Sequence, residues 1–261
     1  MRGFVLVAAL AAASVSPSMA VLAQAPRTQA PAAADQARLP EARTIIDRHI
    51  QAIGGRKAVL AHSSTRATGT LSVPGQGMSG TFEMLEARPN KALLRITIGG
   101  IGENLEGFDG EHAWSISPIT GPSLAQGKEL EQKRFDSDYY SELHDPARYR
   151  SITTIARTDF DGRPCYKISL LRKDGDEDFE FYDVATGLRA GGIATRESPM
   201  GSITATETNG GYKKFGDILQ ATVVKLSTMG ISQVLTFTNF EYDSVPPAAF
   251  ELPAAIKALI K

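Results

Sequence analysis

Histidine and cysteine are the side chains best suited to metal binding or nucleophilic catalysis, and the chain has only His49, His62, His112, His144 and Cys165. A zinc site needs ligands at short spacing on a rigid element, such as two histidines four residues apart on a helix. No two histidines have that spacing, and Glu111-His112 lacks a second histidine. We therefore expect no metal and no cofactor, and a site assembled across the fold stays an open alternative.

The cysteine and the acidic residues give no stronger indication of catalysis. Cys165 lies in a predicted strand between Pro164 and Tyr166, where a small buried side chain fits better than a nucleophile. No G-x-S-x-G sequence occurs. A carboxylate pair across a cleft remains possible among the 29 Asp and Glu residues. We expect no enzyme, with an unrecognised hydrolase as an alternative.

Two further stretches partly match known ligand-binding motifs, one for dinucleotides and one for calcium. Gly75–Gly80, GQGMSG, has the letters of the dinucleotide fingerprint, but that motif opens a helix, and an alternating strand pattern follows here. Asp174, Asp176 and Asp178 alternate around an Asp-Gly turn without the order of a calcium loop. We interpret the first as a hairpin turn and the second as a solvated strand face.

The N-terminal residues predict export. A basic start, a short apolar run and small-residue exits are typical of a secretory signal, here residues 1–23 with cleavage after Ala20 or Ala23. A Pro/Ala-rich linker is expected over 24–39 and one folded domain over 40–261. The apolar run is shorter than the ~20 residues of a membrane span, so we expect no integral span after cleavage. The lone cysteine and the absence of a lipidation cysteine favour a soluble periplasmic protein.

The charge balance argues against one class of partner. The formal net charge is −1, and no stripe of lysines and arginines occurs. Nucleic-acid binding surfaces are basic. We therefore expect no nucleic-acid partner.

The period of the apolar residues indicates the elements of the domain. Isoleucines recur at helical spacing between 40 and 53, and Gly54-Gly55 ends that helix. A shorter helix is predicted over 56–61, and one or two helices over the charged stretch 127–150. From Ser64 onward apolar and polar residues alternate, which predicts antiparallel strands. The later strands are predicted at about 149–158, 164–171, 178–184, 187–196, 201–209, 218–228 and 231–243.

The sequence F-D-G occurs twice, in FDGEHAW (108–114) and FDGRPCY (160–166). Asp-Gly suits a type I′ hairpin turn, whose two central residues both have positive φ. We interpret both copies as hairpin turns rather than as a duplicated active site. With no β-α-β alternation, the pattern predicts a mainly β protein (α+β) built on one strongly curved antiparallel sheet or open barrel.

Several motifs taken in order resemble those of the bacterial periplasmic lipoprotein-carrier (LolA-like) superfamily. They are Arg88-Pro89-Asn90, Asp109-Gly110 with Trp114 and Pro118, Asp183 with Thr186-Gly187-Leu188, and Gly201. The resemblance covers most of residues 40–255. It implies an open half-barrel of about eleven strands, with the N-terminal and inserted helices as a lid over the concave face.

The resemblance also implies a function, which is to hold an acyl chain, a lipoprotein or another hydrophobic ligand between sheet and lid. It implies that Arg88 acts as a gate by bonding to the lid. Strand alternation selects the candidate ligand-binding residues Leu71, Phe82, Met84, Leu94, Ile96, Trp114, Phe179, Phe181, Leu235 and Phe237. The alternative is an interaction or sensor module with a filled core that docks on an envelope protein.

Overall fold

The computed structural model describes residues 39–198 and 201–260. The predicted signal peptide, its cleavage sites and all but the last residue of the predicted linker lie outside these ranges. Within them the chain forms one open sheet of 13 antiparallel strands and a separate two-stranded hairpin.

The elements have the following bounds. The large sheet contains β1 (Ser64–Val73), β2 (Met78–Ala87), β3 (Lys91–Ile98), β4 (Gly102–Phe108), β5 (Ala113–Ser117), β6 (Gly121–Leu124), β7 (Tyr149–Phe160), β8 (Arg163–Arg172), β9 (Glu177–Asp183), β10 (Arg189–Ser198), β11 (Gly201–Gly210), β14 (Val223–Thr228) and β15 (Ile231–Tyr242). The separate hairpin contains β12 (Lys213–Phe215) and β13 (Ile218–Gln220). The helices are α1 (Ala42–Ala52), α2 (Arg56–Ala61), α3 (Gly127–Asp136) and α4 (Ala254–Lys257), with 3-10 turns at Ser141–Leu143, Pro146–Arg148 and Pro247–Phe250.

The first and last strands of the domain meet in the middle of the sheet. β1 pairs with β15, and Leu71 lies opposite Leu235. From this centre the strands follow one another outward as β2 to β6 on one side and as β14, β11, β10, β9, β8 and β7 on the other. Because β6 and β7 are unpaired edges, the sheet does not close on itself.

The mainly β, antiparallel prediction is confirmed, as are the helices at the start of the domain and in the charged stretch. Two details were wrong. The large sheet has 13 strands rather than about eleven. The single strand predicted at 218–228 is broken, because β13 pairs with β12 outside the large sheet and only β14 joins it.

Helix α1 lies on one face of the sheet, which we call the inner face. Ile45, Ile46 and Ile50 recur at helical spacing, are buried, and pack with Ile168 and Leu170 of β8. Burial of one such side chain contributes about 1.5–3 kcal/mol. This apolar stripe therefore holds α1 against the sheet.

The opposite, outer face carries its own apolar cluster. Leu85, Leu93 and Trp114 lie side by side on β2, β3 and β5, covered by Phe250 and Ile256 from the C-terminal segment. Strands β2 and β3 therefore bury apolar side chains on both faces. An apolar residue on these strands can therefore face either side of the sheet, and its type alone does not indicate which.

The two F-D-G turns differ in geometry. Asp161 and Gly162 have φ of 53° and 73°, as the type I′ prediction requires. In the other copy only Gly110 has positive φ. There the Asp109 side chain accepts hydrogen bonds from the backbone N–H groups of Glu111 (2.8 Å) and His112 (2.7 Å). The type I′ prediction was therefore wrong for FDGEHAW.

Candidate functional site

A partly open cavity of about 120 Å³ lies against the inner face. One water molecule needs ~10–15 Å³ of such space, so the cavity has room for roughly ten waters or for part of a small apolar ligand. Its walls come from α1, α2, the β12–β13 hairpin and the sheet. The lining side chains discussed below are His49, Ile53, His62, Met84, Glu86, Tyr139, Glu142, Arg189, Glu207, Tyr212, Ile218, Val224, Leu226, Leu235 and Phe237.

One half of the cavity is apolar because neighbouring strands present apolar residues in register. Met84 comes from β2, Val224 and Leu226 from β14, and Leu235 and Phe237 from β15. Val224 lies directly opposite Leu235. Strand alternation turns these side chains inward together, which gives the cavity a continuous apolar floor.

The wall opposite this floor comes from elements outside the large sheet. Ile53 follows α1 and Ile218 begins β13, and both line the cavity. The backbone N–H of Leu219 donates to the carbonyl of Ile53 at 2.8 Å. This hydrogen bond joins the hairpin to the end of α1, so the two elements form one wall.

The other half of the cavity is polar, and its histidine has a defined hydrogen-bonding role. The Nδ1 atom of His49 accepts a hydrogen bond from the backbone N–H of Arg189 at 3.2 Å. Its Nε2 atom lies 3.2 Å from a Glu142 carboxylate oxygen and therefore donates to it. Both ring nitrogens of His49 are engaged, which leaves neither free to take a proton from a substrate.

Arg189 is the guanidinium of the cavity wall, and it is already paired. It lies 2.8 Å from Glu207 and 3.4 Å from Glu180. The Tyr212 hydroxyl donates to the Arg189 backbone carbonyl at 2.7 Å. Since the residue is only 7% exposed, these contacts offset the cost of burying its charge.

Glu86 differs from the other polar residues of the cavity. It follows Phe82 and Met84 at the next inward position of β2, and it lines the cavity. Its carboxylate makes no hydrogen bond or ion pair with another residue of the described chain. Burial away from water raises the pKa of Glu86, and the nearby Glu142 carboxylate raises it further.

His62 lies at the edge of the cavity and joins three parts of the fold. Its ring nitrogens lie 2.8 Å from Asp243, after β15, and 2.7 Å from Asp217, in the β12–β13 turn. Two carboxylate partners require both nitrogens to donate, as in the imidazolium. Burial lowers the pKa of His62, but the hydrogen bonds to the two carboxylates outweigh it and raise the pKa above 6.5.

This geometry predicts a pH-dependent contribution to stability. Because the folded-state pKa of His62 is raised, the contribution is fully present below pH 6.5 and is lost as the pH rises through the folded value. Both aspartates are about half exposed, so we expect no more than about 1 kcal/mol. Urea unfolding of wild type and His62→Gln between acidic and alkaline pH should show a stability difference that shrinks as the pH rises. A difference that is constant or grows would contradict this assignment.

Seven of the ten candidate lining residues lie on the inner face, in one apolar cluster: Leu71, Phe82, Met84, Leu94, Ile96, Leu235 and Phe237. Of these, Met84, Leu235 and Phe237 line the cavity, and the other four lie in the packed core around it. A ligand-binding role for these residues remains a prediction.

The other three candidates require a correction, since they lie on the outer face. Trp114 pairs across the strands with Gly107 and packs in the C-terminal cluster. A Cβ on Gly107 would lie 2.4 Å from the Trp114 ring, so only glycine permits this packing. The indole therefore stabilises the outer face and does not line the cavity.

The prediction for Phe179 and Phe181 was wrong for a related reason, since it assigned these residues of β9 to the wrong face of the sheet. They alternate with Glu180 and Tyr182, which face inward toward α1. Phe181 instead stacks on Phe160 outside, with ring centroids 3.9 Å apart. Phe179 borders a second cavity of about 60 Å³ but not the main one.

Arg88 does not form the predicted gate in this structure. The residue is exposed, and its guanidinium makes no hydrogen bond to the rest of the described chain. The turn contacts the inserted segment through its neighbour, because the Pro89 carbonyl accepts a hydrogen bond from the Tyr139 N–H at 3.0 Å. The turn therefore contacts the inserted segment through the Pro89 backbone, and the bond predicted for the Arg88 side chain is not made within the described residues.

The described residues also bear on the chemistry considered from sequence. They contain no group of three or more His, Cys, Asp or Glu side chains placed to hold a metal ion. Cys165 is buried, and desolvation raises the pKa of its thiol to about 11. No helix in the described ranges is long and apolar enough to cross a membrane.

Sequence reasoning missed several residues of the cavity, chiefly Glu86, Val224 and Leu226. A signal for Glu86 was present, because it continues the inward alternation of Phe82 and Met84. No comparable signal marked Val224 and Leu226. Their strand was predicted as part of the longer segment 218–228, which left its phase undefined.

The open antiparallel sheet with α1 on one face defines a LolA-like fold. A DUF1329 family protein from Desulfovibrio piger has a TM-score of 0.55 at 14% identity, covering 80% of this chain and 97% of that chain. A LolA superfamily protein from Nitrosomonas europaea has a TM-score of 0.53 at 12% identity, covering 82% of this chain and 99% of that chain. A domain described as that of an outer-membrane lipoprotein-sorting protein from Vibrio parahaemolyticus has a TM-score of 0.51 at 13% identity, covering 80% of this chain and 95% of that chain.

These comparisons confirm the resemblance inferred from the sequence motifs, at the level of the fold. No protein-family model and no curated protein matches the sequence. The chain is therefore a divergent example of the LolA-like fold.

Proposed function

We propose that this chain is an exported periplasmic protein that binds an acyl chain or another apolar ligand in the cavity. The observation that carries the proposal is the partly open cavity with an apolar floor formed by Met84, Val224, Leu226, Leu235 and Phe237. Ligand sites are concave, mostly apolar and equipped with a few polar groups. The cavity meets each of these conditions but, at about 120 Å³, it is smaller than the ~300–1,000 Å³ of a typical ligand pocket, so the proposal requires that its cover open.

The cover of the cavity is part of the proposal. The sheet acts as a strongly curved half-barrel, and α1 with the β12–β13 hairpin acts as the lid over its inner face. The two parts of the lid are held differently. The isoleucine stripe holds α1 against the sheet, whereas the hairpin is attached through the Leu219-to-Ile53 hydrogen bond, the exposed contact of Asp217 with His62 and the packing of Phe215 on Phe240. We propose that the hairpin, which has the fewer buried contacts, is the part that opens and admits a ligand larger than the closed cavity.

The wider role we propose is the sorting of lipids or lipoproteins to the outer membrane, with a hydrophobic ligand as the partner. The fold shared with a domain described as lipoprotein-sorting supports this role. We propose no catalytic activity, because His49 has no ring nitrogen available as a base.

The test is the uptake of an uncharged naphthylamine dye, whose emission rises in apolar surroundings. Saturable uptake by the delipidated protein at low-micromolar concentration is expected, with displacement by long-chain alcohols. Absence of saturable uptake would contradict the binding function and would favour the alternative, an interaction or sensor module that contacts an envelope protein.

A further inference from the structure

The charges of the cavity wall are unbalanced toward the acidic side. Glu86, Glu142 and Glu207 contribute carboxylates, and Arg189 contributes the one guanidinium or ammonium group among the described lining residues. Arg189 is committed to Glu207 and Glu180. These two carboxylates balance its positive charge, although its Nε atom makes no hydrogen bond within the described chain.

Neither histidine of this wall offsets the acidic excess, because the charge of His62 is balanced by Asp217 and Asp243 and His49 is neutral. The Arg189 N–H occupies the Nδ1 lone pair of His49 at 3.2 Å. The ring is therefore the neutral tautomer that donates from Nε2 to Glu142. It satisfies one carboxylate by hydrogen bonding without supplying a positive charge.

Glu86 is the acidic group available to a ligand. It lines the partly open cavity, is half-buried, and makes no hydrogen bond or ion pair with another residue of the described chain. A carboxylate in such surroundings is costly until it is paired. Burial raises the pKa of Glu86 most and the neighbouring Glu142 raises it further, while the charge of Lys133 lowers it in part without forming an ion pair with it.

The position of Glu86 also fits the end of an apolar chain. It lies on β2 two residues after Met84, so its side chain continues the row that forms the apolar floor. A ligand chain lying along Met84, Leu235 and Phe237 would place its end group beside Glu86. The cavity is thus amphipathic, with one apolar half and one acidic end.

Resting on the proposed binding function, we propose that the ligand of this cavity is an apolar chain that carries an amino group, bound with its ammonium against Glu86. An ammonium offers three hydrogen-bond donors and a positive charge, and charge-assisted hydrogen bonds are stronger than neutral ones. A carboxylate or phosphate in the same place would face Glu86 and Glu142 and be repelled. The acidic end thereby selects against free fatty acids.

The experiment displaces the uncharged dye with three ligands of equal chain length: decylamine, decanol and decanoate, each below its micelle-forming concentration. In the wild type we expect the amine to bind tightest, the alcohol less tightly and the carboxylate weakest. In Glu86→Gln the affinity for the amine should fall about tenfold, as expected for the loss of one charge-assisted hydrogen bond, and the affinity for decanoate should rise.

The matched control is Glu83→Gln, the same change on the same strand. Glu83 lies on the outer face, where it pairs with Arg66 at 2.7 Å, so its loss should leave the order and the affinities unchanged. Thermal unfolding of both variants checks that they fold.

The outcomes separate the two proposals. Dye uptake with equal displacement by all three ligands overturns the amine preference and leaves apolar binding intact. An amine preference that survives in Glu86→Gln overturns the assignment to Glu86. No dye uptake by the wild type overturns the binding function and, with it, this inference.

Discussion

Replacing Arg196 with alanine should lower the free energy of unfolding by about 3–5 kcal/mol, as expected when one partner of a buried ion pair is removed. Arg196, on β10, is 8% exposed. Its guanidinium donates to both carboxylate oxygens of Asp136, at 2.8 and 2.9 Å, and to Asp178 at 2.6 and 3.0 Å. Alanine would leave both carboxylates largely shielded, at 10% and 14% exposure, with Arg172 no closer than 3.8 Å.

The effect should be concentrated at α3. This helix ends at Asp136, fully buries only Gln132 and packs one aromatic ring, that of Phe135, against the core, so the ion pairs of Asp136 supply much of its attachment. Hydrogen exchange of its backbone amides should therefore accelerate more in Arg196→Ala than that of α1, which is held by its isoleucines. Urea unfolding gives the global change and hydrogen exchange gives its location.

The control is Arg95→Ala, which also removes an arginine with two acidic neighbours. Arg95 is about half exposed and lies 3.7 Å from Glu83 and 3.5 Å from Glu103. Exposed ion pairs contribute about 0–1 kcal/mol, so this variant should be nearly as stable as the wild type. Equal losses in the two variants would contradict the role assigned to Arg196.

Replacing Val224 with tryptophan should weaken dye uptake by at least about tenfold, which corresponds to 1.4 kcal/mol. Val224 is half-buried on β14 and faces the cavity opposite Leu235. The larger indole would occupy the space that the ligand needs. Because it extends into a cavity rather than into close-packed core, the stability cost should stay at or below the ~1–3 kcal/mol of overpacking.

Val223→Trp provides the comparison within the same strand. Val223 precedes Val224, so it faces the other side of the sheet, and it does not line the cavity. Dye titration should show wild-type affinity for this variant and weak uptake for Val224→Trp, at similar melting temperatures. Unchanged uptake in Val224→Trp would show that the ligand binds elsewhere.

Much of the fold followed from local sequence. The isoleucines of α1 repeat at helical spacing, and Gly54 and Gly55 follow its end, so its position was predicted closely. The Asp161-Gly162 turn has the positive φ angles predicted for it. Each of these features depends on neighbouring residues in the chain, which is why the sequence was sufficient.

Only part of the candidate site could be predicted from the sequence. Alternation grouped Leu71, Phe82, Leu94 and Leu235 correctly on one face, because these central strands pair in register. It misplaced Trp114, since β5 buries an apolar residue on the outer face, under the C-terminal segment.

On β9 the rule that apolar side chains face inward failed for a different reason. Glu180 and Tyr182 face inward and bond to each other at 2.6 Å, and Glu180 lies 2.9 Å from His144. This network satisfies polar groups in the interior, so the inner face there does not need Phe179 and Phe181. Tyr182 is a neighbour of Glu180 in sequence, but His144 lies 36 residues away and could not be identified from the sequence as its partner.

The sequence by itself determined the period of each element, most of the turns and the resemblance to a LolA-like fold. Tertiary structure decided which face of each strand is the inner one, because a period of two defines two faces without telling them apart. It also decided the position of the cavity, which depends on the β12–β13 hairpin leaving the sheet to contact α1. Tertiary structure also decided that Glu86 forms the acidic end of the cavity, because pairing across the sheet places the apolar residues of the floor beside it.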